Sequence, residues 1–218
     1  MRRVLVTCVL VLFIVCLVTP PILAALTKTT AFDTIDDWQA VAAATALVGN
    51  AEDVGSSYST LLFIEVALTD TDAQAGCTVL VQVSYAADDW VTLSSFTGRV
   101  ATSATTTIVG AVADSNTIID LTDAATAHFD HPAAKWFIVD GTVANSETVI
   151  TKSAATNALT LADDVVRAHA TGLSVWSMVD EWVVAIPMGA AGVRTIINNT
   201  DADSGVHFRT YCSKVTGL

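Results

Sequence analysis

The chain has 218 residues, of which 52% are hydrophobic and 15% are charged, and its formal net charge is −12. This apolar content suffices for the core of one β-domain or of two small ones. The acidic balance argues against nucleic-acid binding, because phosphate contacts come from Lys and Arg, and it favours solubility, cation binding or a basic partner.

The N-terminal segment, residues 1–25, has the three parts of a secretory signal peptide. Arg2 and Arg3 open it, an apolar run follows over residues 4–18, and small residues end it at Ala24 and Ala25. The run makes about 22 Å of helix, which is short of a hydrocarbon core of ~30 Å. We expect a cleaved signal, with a retained N-terminal membrane anchor as the alternative.

The domain begins with two segments of different character. Residues 27–37 are polar and are predicted to be a leader, whereas 38–49 are predicted to be a first strand, although their alanines also suit a helix. Residues 61–68, LLFIEVAL, are apolar at nearly every position. This pattern predicts a central strand of a sandwich, followed by an acidic loop over 69–76.

Residues 76–98 predict a strand, a tight turn and a second strand. Val79, Val81 and Val83 alternate with Leu80 and Gln82, which is the period of a half-buried strand. Such a hairpin is only marginally stable alone, so it must pack its apolar face on a second sheet.

The segment over residues 100–176 is richer in Thr, Ala and Ser, and its predicted strands are shorter. They lie at residues 105–109, 117–121, 136–139, 147–151 and 158–161. Residues 162–170 predict a short helical turn, with Asp163 and Asp164 near its start. We interpret the segment as an inserted β-rich subdomain, because a structureless loop of about 70 residues is unusual in a compact domain.

The C-terminal part returns to strong strand patterns, at residues 181–186, 193–198 and 206–215. Short strands, regular turns and little helix predict an all-β fold, an antiparallel β-sandwich of jelly-roll or immunoglobulin-like type with an inserted small β-rich subdomain. The predicted sandwich domain comprises residues 26–99 and 177–218, and the insertion comprises 100–176.

Cys77 and Cys212 are the cysteines outside the N-terminal segment, which contains Cys8 and Cys16. Both are in phase with inward-facing strand residues. An exported chain allows a disulfide bridge between them, but two buried free thiols are the preferred interpretation.

Two loops have closely spaced carboxylates that suit calcium. Asp70 and Asp72 precede one glycine, and Asp201 and Asp203 precede another. A D-x-D start followed by a glycine bend supplies several oxygen ligands from one loop, but neither loop completes the EF-hand pattern. Two solvated turns, in which Asp makes local hydrogen bonds, are the preferred interpretation, and calcium binding is the alternative.

A third candidate site is the turn that contains His128, Asp130 and His131. Zinc needs three or four ligands, and His169 is too far along the chain to be assigned as one of them. A surface turn is therefore the preferred interpretation, with the proline after His131 setting an extended backbone.

No pattern in the chain indicates catalysis, since it lacks a G-x-S-x-G motif, a P-loop and a dinucleotide-binding fingerprint. The tryptophans suggest either a sugar-stacking platform or core anchors, and their apolar neighbours favour core anchors. The five are Trp38, Trp90, Trp136, Trp176 and Trp182. We expect neither an enzyme nor a cofactor, and of the two ions considered calcium is retained as the candidate.

Residues 79–98, VLVQVSYAADDWVTLSSFTG, resemble a hairpin of β-sandwich modules in tailed-phage virion proteins. Residues 119–165, with the phrases LTDA, DG, SETV and LTL, look like a small β-module of phage tail and capsid-accessory proteins. The resemblance is confined to these two stretches of the chain, and it implies a structural or attachment role on a virion.

We therefore expect a non-enzymatic virion structural or accessory protein, acting as a head-decoration, tail or fibre-associated subunit. It would associate with itself or with other structural proteins, as a homo-oligomer. The alternative is an exported cell-surface β-sandwich module: an adhesin, a glycan-binding domain or an extracellular filament subunit. That module would be secreted or held at the cell surface, and it would meet a membrane only through residues 1–25.

Overall fold

The structure is a computed structural model that describes residues 29–71, 76–86, 88–99, 103–122, 134–155 and 157–216. In these residues the regular structure consists of β-strands and a single 3-10 turn, Val143–Asn145. All the strand pairs whose registers are defined are antiparallel, so the all-β antiparallel prediction is confirmed.

The strands are β1 (Thr29–Val41), β2 (Ala46–Val48), β3 (Glu52–Asp53), β4 (Ser59–Leu68), β5 (Cys77–Ser84), β6 (Trp90–Thr97), β7 (Thr105–Thr107), β8 (Ile118–Asp120), β9 (Lys135–Ile138), β10 (Glu147–Ala155), β11 (Ala158–Leu161), β12 (Ser174–Trp176), β13 (Met178–Ile186), β14 (Gly192–Asn199) and β15 (Val206–Thr216). The three-residue strand β12 was missed by sequence analysis, because so short a run has no periodicity to detect.

Two of the three sheets pack face to face as a sandwich. One has the order β1-β15-β4-β13, and the other has the order β2-β14-β5-β6 with β3 also pairing to β14. Alternate residues of β4, such as Leu62 and Ile64, share one buried cluster with Val79 and Val81 of β5. The alternation of the predicted hairpin therefore fills the space between the two sheets, as strand geometry requires.

The predicted leader over residues 27–37 is wrong from Thr29 onwards, because strand β1 begins there and pairs with β15. Its polar residues are partly internal. The Asp36 carboxylate is 1% exposed and accepts hydrogen bonds from the Thr210 hydroxyl at 2.8 Å and from the Asn50 backbone N–H at 3.0 Å. Composition alone suggested a solvated segment, whereas the carboxylate is buried because its partners satisfy it.

Replacing Asp36 with Ala is expected to lower the free energy of unfolding by about 2 kcal/mol, because it leaves the buried Thr210 hydroxyl and the Asn50 backbone N–H without their acceptor. Urea unfolding monitored by circular dichroism measures the change. Asp37→Ala is the matched control, since the Asp37 side chain is 57% exposed. Equal losses in the two variants would contradict the role assigned to Asp36.

The third sheet has the order β7-β12-β9-β10-β11-β8. It curls until its outer strands meet at an antiparallel bridge between Ile108 and Leu121. The Val109 N–H donates to the Asp120 carbonyl at 2.9 Å beside this bridge. The sheet thereby closes on itself around its own core, which comprises Ile108, Val112, Ile119, Leu121, Trp136, Ile138, Val149, Leu159, Leu161, Val165 and Val175.

The expected helical turn over residues 162–170 is wrong. The segment consists of bends and isolated bridge residues, because its backbone amides bind other parts of the chain. The Val165 N–H donates to the Asn116 carbonyl at 2.9 Å, and the Val166 N–H donates to the Glu147 carboxylate at 3.0 Å. Because these N–H groups donate to remote parts of the chain, they do not form the backbone hydrogen bonds of a helix.

The closed sheet packs on the outer face of the four-stranded sheet through a small apolar cluster of Trp38, Ala67, Phe137 and Val179. The strands of the sandwich come from the two ends of the described chain, and the strands of the closed sheet come from the middle. The division into a sandwich domain and an inserted subdomain at the boundaries given above stays a prediction.

Candidate functional site

A buried ion cluster lies where the closed sheet meets the sandwich. Glu65 on β4 is 2% exposed, and it accepts hydrogen bonds from Lys135 Nζ at 3.0 Å, Arg209 Nε at 3.0 Å and the Thr148 hydroxyl at 3.3 Å. Lys135 also pairs with Glu181. Because each charge faces an opposite charge, the cluster links β4 and β15 to β9 and β10 without an unpaired buried ion.

The lysine of this cluster stays a cation. Burial by itself lowers the pKa of Lys135, but hydrogen bonds to Glu181 and Glu65 outweigh that effect and raise the pKa above its ordinary value. A lysine with a raised pKa is a poor general base or nucleophile. The chemistry of the cluster is therefore that of a structural ion pair.

A second buried polar group lies in the closed sheet and was missed by sequence analysis. His169 Nε2 is 2.5 Å from a Glu147 carboxylate oxygen, and its Nδ1 is 3.6 Å from the Asp140 carboxylate. The His169 side chain has no exposed surface, so a substrate has no access to its ring. The two carboxylates are 22 and 29 positions from the histidine along the chain, and no local motif signals the contact.

Among the described residues, one group of three potential metal-ligand side chains converges: Asp33, Glu52 and Cys212. Lys214 already occupies the group, with its Nζ 2.7 Å from Asp33 and in contact with Glu52. Burial lowers the pKa of Lys214, but the hydrogen bonds to Asp33 and Glu52 raise it by more, so the ammonium stays charged. It neutralises the carboxylates as a bound cation would.

The predicted calcium loops are described only in part. Asp72 lies outside the described residues, and the backbone carbonyl of Asp70 accepts a hydrogen bond from the Ser103 N–H at 3.2 Å. In the other loop, Asp201 is buried and its carboxylate accepts the backbone N–H groups of Asp203 at 2.9 Å and Ser204 at 2.7 Å. Asp201 thus closes a turn, and calcium binding at either loop stays a prediction.

The candidate zinc residues His128, Asp130 and His131 lie outside the described residues. In the part of the chain that is described, no helix is long and apolar enough to cross a membrane. The predicted signal or anchor over residues 1–25 also falls outside the described ranges.

The structure has Cys77 and Cys212 as buried free thiols and not as a disulfide bridge. The positions of the two cysteines can be compared along β4. Cys77 lies beside Asp180, which pairs with Val66 of β4, whereas Cys212 pairs with Leu62, four residues earlier on the same strand. Four residues along a strand span about 13 Å, well beyond the Cα separation of about 7 Å that a disulfide tolerates. Burial and the nearby Asp180 carboxylate raise the pKa of Cys77 to about 11.

The tryptophans serve in packing, as the core-anchor interpretation expects. Trp136 is 1% exposed and its indole N–H donates to the Thr151 hydroxyl. Trp182 stacks on Phe96 with ring centroids 5.6 Å apart. Trp90 has the guanidinium of Arg194, on β14, over one face of its ring.

The outer strand β6 of the five-stranded sheet has an exposed pairing edge. Among the described residues it pairs with β5 alone, and its sequence WVTLSSFT contains neither a charge nor a proline. Val91 is 52% exposed and Leu93 is 36% exposed. Edge strands are usually protected by charges, prolines or β-bulges, and β6 has one register irregularity, at Leu93. By contrast, the outer strand β13 carries Asp180 and Glu181.

No protein-family model matches the sequence, and no curated protein matches it. A solved structure from Bacillus endospore appendages, described as disulfide-linked pili, is similar at a TM-score of 0.35 and 11% identity, over 88% of this chain and 92% of that chain. Two infectious bursal disease virus structures are also similar. The Gx strain has a TM-score of 0.24 and 8% identity, over 87% of this chain and 41% of that chain. The VP2 subviral particle has a TM-score of 0.22 and 7% identity, over 87% and 42%.

Similarities at these TM-scores and identities do not identify a function. The resemblance to tailed-phage virion proteins that the sequence suggested stays a prediction.

Proposed function

We propose that this protein is a non-enzymatic structural subunit that assembles with further copies of itself. The observation that carries the proposal is the uncharged outer edge of β6, with Val91 and Leu93 exposed. A second β6 strand paired along this edge would satisfy the outward backbone groups and would cover both side chains. An antiparallel pair of identical strands has twofold symmetry, the commonest symmetry of protein oligomers.

The buried charges support a structural role. Glu65 faces Arg209 and Lys135, and Lys214 faces two carboxylates, so these ionic groups are occupied by one another. Groups satisfied in this way stabilise the fold and are not poised for proton transfer. Association is thus the activity that the described surface supports best.

The more specific proposal is that the subunit belongs to a virion, as a head-decoration, tail or fibre-associated subunit. The alternative is a surface module exported by means of residues 1–25. The net charge of −12 repels other copies at a distance, so screening by salt should strengthen self-association. Strand β6 itself adds no charge to that repulsion.

Leu93→Lys is expected to weaken self-association at least about tenfold, because identical ammonium groups would face each other across the strand pair. Analytical ultracentrifugation of the full chain over a wide range of concentrations measures the effect. The matched control is Val166→Lys, since Val166 is 79% exposed and lies outside the sandwich sheets. A wild-type chain that stays monomeric at every concentration, or equal effects of the two lysines, would overturn the proposal.

A further inference from the structure

The outer face of the four-stranded sheet is covered only in part by the closed sheet. Residues of the closed sheet contact this face at Ala67 and at Glu65 of β4. Further along the face, Phe63 pairs with Val183 of β13 on one side and with Tyr211 of β15 on the other. Side chains of directly paired residues share one face of a sheet, so these three lie side by side across three strands.

The exposed side chains in this region form an apolar strip, which consists of Phe32, Leu61, Phe63, Val183 and Tyr211. Leu61 is 39% exposed and Val183 is 52% exposed. Phe32 of β1 is 70% exposed and lines one shallow depression together with Tyr211. At about 200 Å² for an aromatic side chain, the strip exposes on the order of 350 Å². That area lies within the range of about 300–600 Å² for the largest apolar patch of a typical monomer, which is often functional.

The rings of Phe63 and Tyr211 stand upright on the sheet. Their planes are 2° from parallel and their centroids are 4.9 Å apart, which matches the spacing of neighbouring strands, about 4.7–4.9 Å. The two rings therefore stack on each other across the strands, and the Arg209 guanidinium lies 5.3 Å from the Tyr211 ring. Because their faces are turned towards each other, their edges point away from the sheet. A ridge of ring edges suits interdigitation with another apolar sheet face better than stacking of a flat ligand.

The charged side chains that border the strip are balanced in sign. Four basic groups face four acidic groups there, although the whole chain has a net charge of −12. Two copies that meet at the strip therefore bring no local excess of negative charge together, and a strongly basic partner gains little at this border. The pairs are Lys135 with Glu65 and Glu181, Arg209 with Glu65, Arg167 with Asp37, and Lys214 with Asp33.

We infer that the strip is a second self-association surface, which packs on the same strip of another copy. An apolar strip is complementary to itself, and its balanced border provides the polar rim that interfaces have. A stable interface of standard size buries about 800 Å² on each partner, of which a little over half is apolar. The strip, at on the order of 350 Å², supplies the larger part of that apolar area.

The strip is separate from the proposed β6 contact, because it lies on the four-stranded sheet and β6 belongs to the five-stranded sheet. One copy can thus contact one neighbour through β6 and another neighbour through the strip. Each contact joins identical surfaces and has twofold symmetry, so either of them alone gives a dimer. The two together extend the assembly beyond a dimer.

Sedimentation velocity of the full chain, over a wide range of concentrations, tests the inference. The wild type is expected to form species larger than a dimer. Val183→Lys should weaken the strip contact at least about tenfold, because it buries an ammonium group in an apolar interface, and should stop assembly at the dimer. The matched control is Val48→Lys, since Val48 is 55% exposed on β2 of the other sheet, and it should assemble as the wild type does.

Phe32→Lys changes the most exposed member of the strip and should have the same effect as Val183→Lys, with an unchanged circular dichroism spectrum. Leu93→Lys should leave a dimer held by the strip, and adding Val183→Lys to it should give a monomer. A Leu93→Lys variant that is monomeric, whether its strip stays bare or binds another protein, would overturn the inference, as would equal assembly of Val183→Lys and Val48→Lys. If the β6 contact alone is wrong, the wild type stops at a dimer that Val183→Lys disrupts and Leu93→Lys does not.

Discussion

Replacing Glu65 with Ala is expected to lower the free energy of unfolding by about 3–5 kcal/mol, the range for breaking a buried charge pair by removing one partner. The Glu65 side chain is 3% exposed, whereas those of Arg209 and Lys135 are 28% and 25% exposed. Removal of the carboxylate leaves Arg209 without its ion-pair partner and leaves Lys135 paired with Glu181 alone. It also removes an acceptor of the Thr148 hydroxyl.

Urea unfolding of the wild type and of Glu65→Ala at neutral pH measures this loss. The control is Glu181→Ala, since Glu181 also pairs with Lys135 but its side chain is 34% exposed. Exposed pairs contribute about 0–1 kcal/mol, so the control should change stability by no more than that. A loss below about 1 kcal/mol in Glu65→Ala would show that the cluster does not stabilise the junction of the sheets.

Stability is expected to fall as the pH drops from about 6.5 to about 4, because of His207. Burial lowers the pKa of this side chain from 6.5 to about 4. The ring lies against Phe137, with centroids 5.3 Å apart, and its Nδ1 is 3.2 Å from the Thr69 hydroxyl. The unfolded chain thus binds a proton near pH 6.5, whereas the folded chain resists it until about pH 4.

The sign and size of the effect follow from that difference. The contribution of His207 is fully present above pH 6.5, declines as the unfolded state takes up the proton, and levels off below about pH 4. At about 1.4 kcal/mol for each unit of pKa, the loss is at most about 3 kcal/mol.

His207→Asn isolates this contribution, because asparagine keeps an acceptor for Thr69 and does not titrate. The free energy of unfolding of both proteins is measured by urea titration at several pH values between about 7 and about 4. The variant should lose less stability than the wild type across the window, with a difference of up to about 3 kcal/mol. Parallel curves for the two proteins would contradict the assignment.

Much of the sandwich could be predicted from local patterns. The central strand β4 was recognised from its continuous apolar run, and the hairpin of β5 and β6 from alternation around Val79, Val81 and Val83. These signals are local, because the alternation or continuity of apolar residues within one short segment indicates whether a strand is buried on one face or on both. The first part of strand β1 was not predicted, because the residue that satisfies its buried Asp36, Thr210, lies 174 positions away along the chain.

The candidate sites could be predicted far less well. The sequence indicated acidic loops, histidines and cysteines, but the Glu65 cluster joins side chains 70 and 144 positions apart. The sequence also does not show that the buried indole N–H of Trp38 lacks an acceptor in the folded chain. Distances between remote segments depend on packing, and no local pattern encodes them.

The sequence by itself determined that the chain is an acidic all-β protein with a two-sheet core, since composition and strand period are properties of short stretches. Only the tertiary structure decided that six short strands close on themselves through Ile108 and Leu121. It also decided that Cys77 and Cys212 stay apart, and that β6 is left as an uncharged edge. The reason is physical, because closure, register and separation arise from long-range pairing between strands whose local patterns allow several partners.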